Sequence, residues 1–428
     1  MELSLMYDIL YTKAYVIHTF FGYSIRIMAP LAIVASLMLF HLSGKGGHNR
    51  IDVVITYVLL GGALVLETRS LMSSLGSTWA LVFLCNTRWS WLRHAALCSG
   101  RWHRLRRAIL SLRWLAMILM PRSSRRWSGS MGQYNILHSC TRQVTMTAMS
   151  RNWLNNFCTM VGFNDWWDMK QSSWEKHVPD KVMTSLQAMR KLFKPGDLNM
   201  LGLLRHNWGE LAMGKDRGNK TRPDLFKKLK PYHGVDFHES ILIWHIATDL
   251  VLAKIEQEES TVEAIWAMSN YMMFLFVDRP DMLPGLTQNW LYQKTKANIV
   301  ESCETSNVVT KEMQHCGQKS SRLKKTKHLA GALLQLEKEE FKPGPKAPRL
   351  IYARQIADIL SNWNNEDPID VLLDMWIDLL MYAANRCNRE SHAKMLNTGG
   401  EFLTIVWLMI EHFQQLAKEQ KEHSSASN

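Results

Sequence analysis

His245 and Asp249 stand four residues apart in the run HESILIWHIATDLVLAKIEQ (His238–Gln257). On a helix that spacing puts both side chains on one face. A second group of the same kind is Arg389, Glu390 and His392 in the phrase RESHA, with Glu401 and His412 further on. A histidine beside carboxylates can serve as a general base or hold a metal ion. His245, Asp249, His392 and Glu401 are therefore the catalytic candidates. The plainer reading of the same residues is a set of buried, hydrogen-bonded groups that tie core helices together. That reading gains weight because the chain carries no GxSxG, HExxH, P-loop, GxGxxG or kinase phrase beside them.

Other constellations point the same way. Asp370, Asp374 and Asp378 recur every four residues. They resemble a carboxylate cluster, but such a stripe is more often the solvated face of a helix. His94, Cys98 and His103 are metal-ligand types without a fourth partner at finger spacing, so no metal is expected. The seven cysteines are odd in number and form no CxxC pair, the pattern of reduced cytosolic thiols. No cofactor is expected.

The elements that would position these residues are helical. Four segments read as core helices. They are His238 to Gln257, Val262 to Val277, Asp370 to Arg386, and Glu401 to Phe413 after the break at Gly399-Gly400. Ser173 to Phe193 reads as a further helix stopped by Lys194-Pro195-Gly196. Asp216 to Pro231 reads as a basic linker. Glu301 to Lys346 is Lys-rich and poor in aromatics, and reads as an exposed, partly disordered insertion. The tail KEQKEHSSASN reads as disordered. No strand alternation is evident.

The N-terminal part has a different character. Tyr7, Tyr11 and Tyr15 suggest an aromatic-rich interfacial helix. Ile27 to Leu42 carries no charged residue, and Val53 to Leu66 is a second apolar run between Asp52 and Glu67. Each approaches the length of a membrane span, with Arg26 snorkelling to the interface. Leu71 to Cys85 is a weaker third run, either a separate span or a continuation of the second helix. Glu2 and the position of the apolar core argue against a secretory signal peptide.

Between Thr68 and Asn164 there is no Asp, no Glu and no Lys, but there are thirteen Arg and seven Trp. The whole chain has 51 Lys+Arg and 38 Asp+Glu, a net of +13. All the excess positive charge therefore lies in this block. Arg and Trp beside apolar runs form the composition of a segment at the cytoplasmic membrane surface. The candidates for that surface are Arg88, Arg93, Arg101, Arg104, Arg106 and Arg107 with Trp89, Trp91, Trp102 and Trp114. By the positive-inside rule they are cytoplasmic. Nucleic-acid binding is not expected, because no RNA- or DNA-binding signature accompanies the block.

Several phrases carry a family resemblance. They are YDILYTKA (Tyr7–Ala14), TYVLLGGALVLE (Thr56–Glu67) and CSGRWHRLRR (Cys98–Arg107) in the first half. In the second half they are ESILIWHIATDL (Glu239–Leu250), SNYMMFL with RPDMLPGL (Ser269–Leu286), YAANRCNRESHAKMLNTGGE (Tyr382–Glu401) and VWLMIEH (Val406–His412). In this order they resemble the plant, grass-expanded membrane proteins built from domain of unknown function forty-two-twenty followed by five-ninety-four. The resemblance implies an integral membrane N-terminal part and a helical C-terminal domain, and no known activity. Members of that family usually carry further membrane helices before the YDILYTKA phrase, so the chain is expected to be N-terminally short.

The expected protein is all-α, with two membrane helices, a third in doubt, and a cytoplasmic helical domain. Its expected organisation is membrane anchors over 1–86, an Arg/Trp interfacial segment over 87–164, and a helical domain over 165–300 and 351–415. The insertion occupies 301–350 and the disordered tail 416–428. The expected function is that of a membrane-anchored interaction or scaffold protein, with a membrane-bound His/Asp enzyme as the alternative. Expected partners are the bilayer with its anionic headgroups and an unidentified cytoplasmic protein.

Overall fold

A computed structural model describes residues 19–43, 50–76, 127, 129–140, 172–189, 208–213, 222–255, 260–286, 288–305, 322–335, 348–397 and 400–426. Among these residues there are thirteen α-helices and one two-stranded antiparallel sheet. The protein is all-α. The chain divides into two compact units, residues 1–127 with 393–400 and residues 128–392 with 401–428.

The first unit contains a helical hairpin of α1 (Phe20–Leu42) and α2 (Arg50–Gly76). Thr19 caps α1, its hydroxyl accepting from the Gly22 amide at 3.3 Å. That satisfies one of the amides a helix start leaves unpaired. Both expected apolar runs lie inside these helices. α2 continues through Gly76, so the start of the third run extends the second helix. The rest of that run lies outside the described residues, as do Tyr7, Tyr11 and Tyr15.

The second unit is built around two helices, α6 (Phe237–Ala253) and α7 (Ser260–Asp278). Nearly every residue of α6 is buried, the condition of a helix that is apolar on all sides. Asp236 starts it by accepting from the Glu239 amide at 2.8 Å. α6 packs against α7, α9 (Arg322–Gln335) and α10 (Pro348–Ser361). α7 packs against α11 (Pro368–Arg386), which in turn packs against α13 (Phe402–Ala426). Asp367 caps α11 and Pro368 follows at its first position, where a missing amide hydrogen costs nothing. Each fully buried Leu, Ile or Trp in this core contributes about 2 kcal/mol. The smaller helices are α3 (Asp180–Ala188), α4 (Glu210–Met213), α5 (Arg222–Leu229), α8 (Asn289–Thr305) and α12 (Arg389–Asn397).

Four segments differ from expectation. Trp174–His177 is a strand, β2, paired with β1 (Ser130–Gln133) in the register Ser130↔His177 to Gln133↔Trp174. The helix begins only at Asp180, because the residue before Pro179 is held out of the α region. Four residues are too few for alternation to register in the sequence. The supposed linker over 216–231 contains α5, where Leu225 and Leu229 supply a buried face between lysines. Within the supposedly exposed 301–350 insertion, α9 buries Leu329, Ala330, Ala332 and Leu333. Composition alone averages this buried face with the lysines of the segment. Helix α13 runs on to Ala426, through most of the tail read as disordered. Gln, Lys, Glu and Ala there are good helix formers that propagate a helix already nucleated by packing.

Candidate functional site

One set of buried polar groups of the second unit lies where Gln133–Cys140 meets α6 and α7. His245 and Asp249 share a face of α6, and both are buried. The Ile136 amide donates to His245 Nε2 at 3.3 Å, so that nitrogen holds a lone pair and the proton sits on Nδ1. Nδ1–H donates to the Ser269 hydroxyl at 2.8 Å. Burial pushes the His245 imidazole down to about 3, so it is neutral. Asp249 Oδ2 accepts from Asn135 Nδ2 at 2.7 Å and stands 3.9 Å from His245 Nε2, beyond hydrogen-bond reach. Burial pushes the Asp249 carboxyl up to about 7, against the pull of the Asn135 amide. Asn135 also donates to Asn270 Oδ1 at 3.0 Å. Gln133 donates to the Ala267 carbonyl at 3.0 Å, and the Tyr134 amide to the Asn270 carbonyl at 3.0 Å.

His392 belongs to a different cluster. Its Nε2–H donates to the Ala384 carbonyl at 3.0 Å, and its Nδ1 lies 3.1 Å from the Thr404 hydroxyl. Its ring stacks on Trp407 with centroids 4.7 Å apart. Burial lowers its proton affinity. Glu401 accepts from the Tyr271 hydroxyl at 3.2 Å, while that hydroxyl accepts from the Leu403 amide at 2.8 Å. Burial raises the Glu401 carboxyl. Of the four candidates, only His245 and Asp249 come together. Both ring nitrogens of His245 and of His392 are engaged within the core, and neither ring faces solvent. The arrangement ties helices together.

The Asp370, Asp374 and Asp378 stripe is not simply a solvated face. Asp370 is exposed, but Asp374 accepts from Arg222 at 2.6 Å and buried Asp378 accepts from the Ala212 amide at 3.1 Å. Arg222 also meets both Glu366 oxygens at 3.1 Å and donates to the Ala212 carbonyl at 2.8 Å. Arg222, Asn135, Ser269 and Asn270 were missed by sequence reasoning. No local signal marked Asn135, whose partners Asp249 and Asn270 lie more than one hundred residues away.

The α1/α2 hairpin has its own polar ties. Arg26 reaches the Ser70 carbonyl at 3.2 Å and the Ser74 hydroxyl, so it closes the hairpin. At the other end His41 lies 3.0 Å from the Tyr57 hydroxyl, and Phe40 packs edge-on against the Tyr57 ring. Between these ties the helices present bare apolar side chains. Among the described residues, sixteen of nineteen exposed large apolar side chains belong to α1 and α2. Spans of mean hydropathy 1.9 over Phe20–Leu42 and 1.8 over Arg50–Leu71 are long and apolar enough to cross a membrane, and none of either window is buried. The membrane-surface candidates Arg88, Arg93, Arg101, Arg104, Arg106, Arg107, Trp89, Trp91, Trp102 and Trp114 lie outside the described residues, as do His94, Cys98 and His103.

A helical protein with two candidate membrane spans and a polar-stitched helical core is the class these features define. Residues 1–140 match the family model described as Domain of unknown function (DUF4220), and residues 361–414 match Protein of unknown function, DUF594. The chain carries these two domains in that order. No curated protein and no solved structure matches it.

Proposed function

We propose that this chain is an integral membrane protein whose helical domain is an interaction or scaffold module held at the cytoplasmic face. The observation that carries this reading is the exposure of α1 and α2. Helices this apolar, with none of their spanning windows buried, need a solvent other than water. Two further features favour a module over an enzyme. The candidate histidines are spent on core hydrogen bonds, and the titratable residues nearest a catalytic pattern form two separate clusters. The Arg/Trp block supplies the cytoplasmic orientation by the positive-inside rule, and binds anionic headgroups. The helical domain then takes a cytoplasmic protein partner.

Alkaline carbonate extraction of membranes from cells expressing the tagged chain tests the anchor. The protein stays in the pellet if α1 and α2 span. Release into the supernatant overturns the reading. Replacing Arg88, Arg93, Arg101, Arg104, Arg106 and Arg107 together by Gln tests the surface role, and unchanged binding to anionic liposomes would refute it.

A further inference from the structure

Outside α1 and α2, only three described large apolar side chains are exposed: Val235, Leu286 and Trp290, at 91%, 86% and 59%. They lie in one place. Val235 and Asp236 form the turn before α6, Leu286 belongs to the loop after α7, and Trp290 opens α8. The Asp236 carboxylate accepts from Gln288 Nε2 at 3.0 Å and joins the two loops. Glu239 accepts from the Val235 amide at 3.0 Å and pairs with Arg349 at 3.1 Å. The Arg349 guanidinium in turn lies 5.7 Å from the Trp290 ring centre. Gly285 turns the second loop at a φ of +98°, over the ring of His238. The charged groups at the base of the patch, Asp236, Glu239 and Arg349, thus meet partner groups of the same domain, and the three apolar side chains beside them are exposed.

We propose that Val235, Leu286 and Trp290 form a tip that dips into the interfacial layer of the bilayer to which the same chain is anchored. The proposal rests on the reading of α1 and α2 as spans. Three side chains offer far less than the roughly 800 Å² per partner of a standard protein interface. A domain tethered to a bilayer needs little surface to stay on it, because the tether makes the contact effectively intramolecular. A tryptophan carrying an arginine, beside bare aliphatic side chains, is the composition that settles at the headgroup boundary. The uncharged tip needs no anionic lipid, which separates it from the Arg/Trp block.

The test uses the full chain reconstituted into phosphatidylcholine vesicles, with and without a nitroxide-labelled phosphatidylcholine. A genetically encoded, environment-sensitive fluorescent amino acid replaces Leu286, Leu31 or Asp370 in turn. Leu31 reports on α1, and exposed Asp370 is the control in the same helical domain. The expected result is blue-shifted emission at position 286 with lipid quenching several-fold above that at 370, and a fall in that quenching on adding Trp290→Ser. Quenching at 31 without quenching at 286 overturns the tip and leaves the spans standing. A blue shift at 286 without lipid quenching means that protein covers the patch, which also overturns the tip. No quenching at 31 overturns both readings.

Discussion

The indole Nε1–H of Trp376 donates to the Thr248 hydroxyl at 2.9 Å, and the next residue on α6, Asp249, accepts from Asn135. The same doubling occurs on α7, where Asn270 meets Tyr134 and Asn135 while Tyr271 meets Glu401 and Leu403. Trp376, Glu401 and Leu403 lie within 361–414, and Tyr134 and Asn135 within 1–140. The two family regions therefore meet through α6 and α7, which neither match covers.

Thr248 also donates to the Trp244 carbonyl at 2.7 Å, so Thr248→Val removes two hydrogen bonds from a dry site. The expected loss is about 2 kcal/mol. Trp376→Phe removes one of the same bonds, and the double variant should lose less than the sum of the singles by about 1 kcal/mol. Denaturant unfolding of the detergent-solubilised chain measures the cycle, and strict additivity would show the bond to be energetically idle.

Gly132 faces the Phe274 ring, whose carbons would lie 2.3, 2.4 and 2.5 Å from an added Cβ. Gly132→Ala is expected to cost about 1–3 kcal/mol through overpacking. Adding Phe274→Leu should restore much of the lost unfolding midpoint. A single variant as stable as the parent would contradict this packing.

Opposed titrations surround Asp249. Its folded value near 7 lies above its ordinary 3.8, so its contribution is present below about pH 4 and lost as pH rises toward 7. His245 moves the other way, from 6.5 down to about 3, so its contribution is present above pH 6.5 and lost as pH falls. Between about pH 4 and 6.5 the two slopes cancel. Asp249→Asn should expose the histidine slope, about 1.4 kcal/mol per pH unit. His233, pushed down to about 4 by burial, adds to the same acid lability. Melting temperatures across pH 4 to 8 decide it: the variant should gain relative to the parent as pH rises from 4 to 7, and parallel curves would refute the assignment.

Arg222 bridges Glu366 and Asp374, and the three side chains are 9%, 10% and 22% exposed. Arg222→Ala removes the guanidinium that both carboxylates share and the donor to the Ala212 carbonyl. The expected cost is about 3 kcal/mol. Arg222→Lys should recover only part, because an ammonium cannot match the guanidinium fork. Full recovery by lysine would mean that charge alone matters there.

The core helices were legible because their apolar runs are long. α6, α7 and α11 appear within a few residues of where periodicity places them. The Gln133–Asn135 segment was not legible, since its role depends on partners more than one hundred residues away. The same is true of Arg222, whose acids lie on α11 and just before it. Asp374 and Asp378 have helical spacing that fits a wet face equally well, and only tertiary packing decides between the two. His245 and Asp249 were correctly placed on one face, but the lone pair that a base would need is taken by Ile136, which no local pattern could reveal.

The meeting of Asn135 with α6 and α7, and of these with α11, also sets a schedule for biosynthesis. The strand and helical turn at Ser130–Cys140 leave the ribosome roughly 110–135 residues before their partners on α6 and α7. At about 5–20 residues per second, that interval is on the order of 5–30 s. During it the nascent segment holds Tyr134, Ile136 and Leu137 without the core that buries them. The side chains that seal the finished core are thus bare apolar surface on the growing chain for seconds at a time.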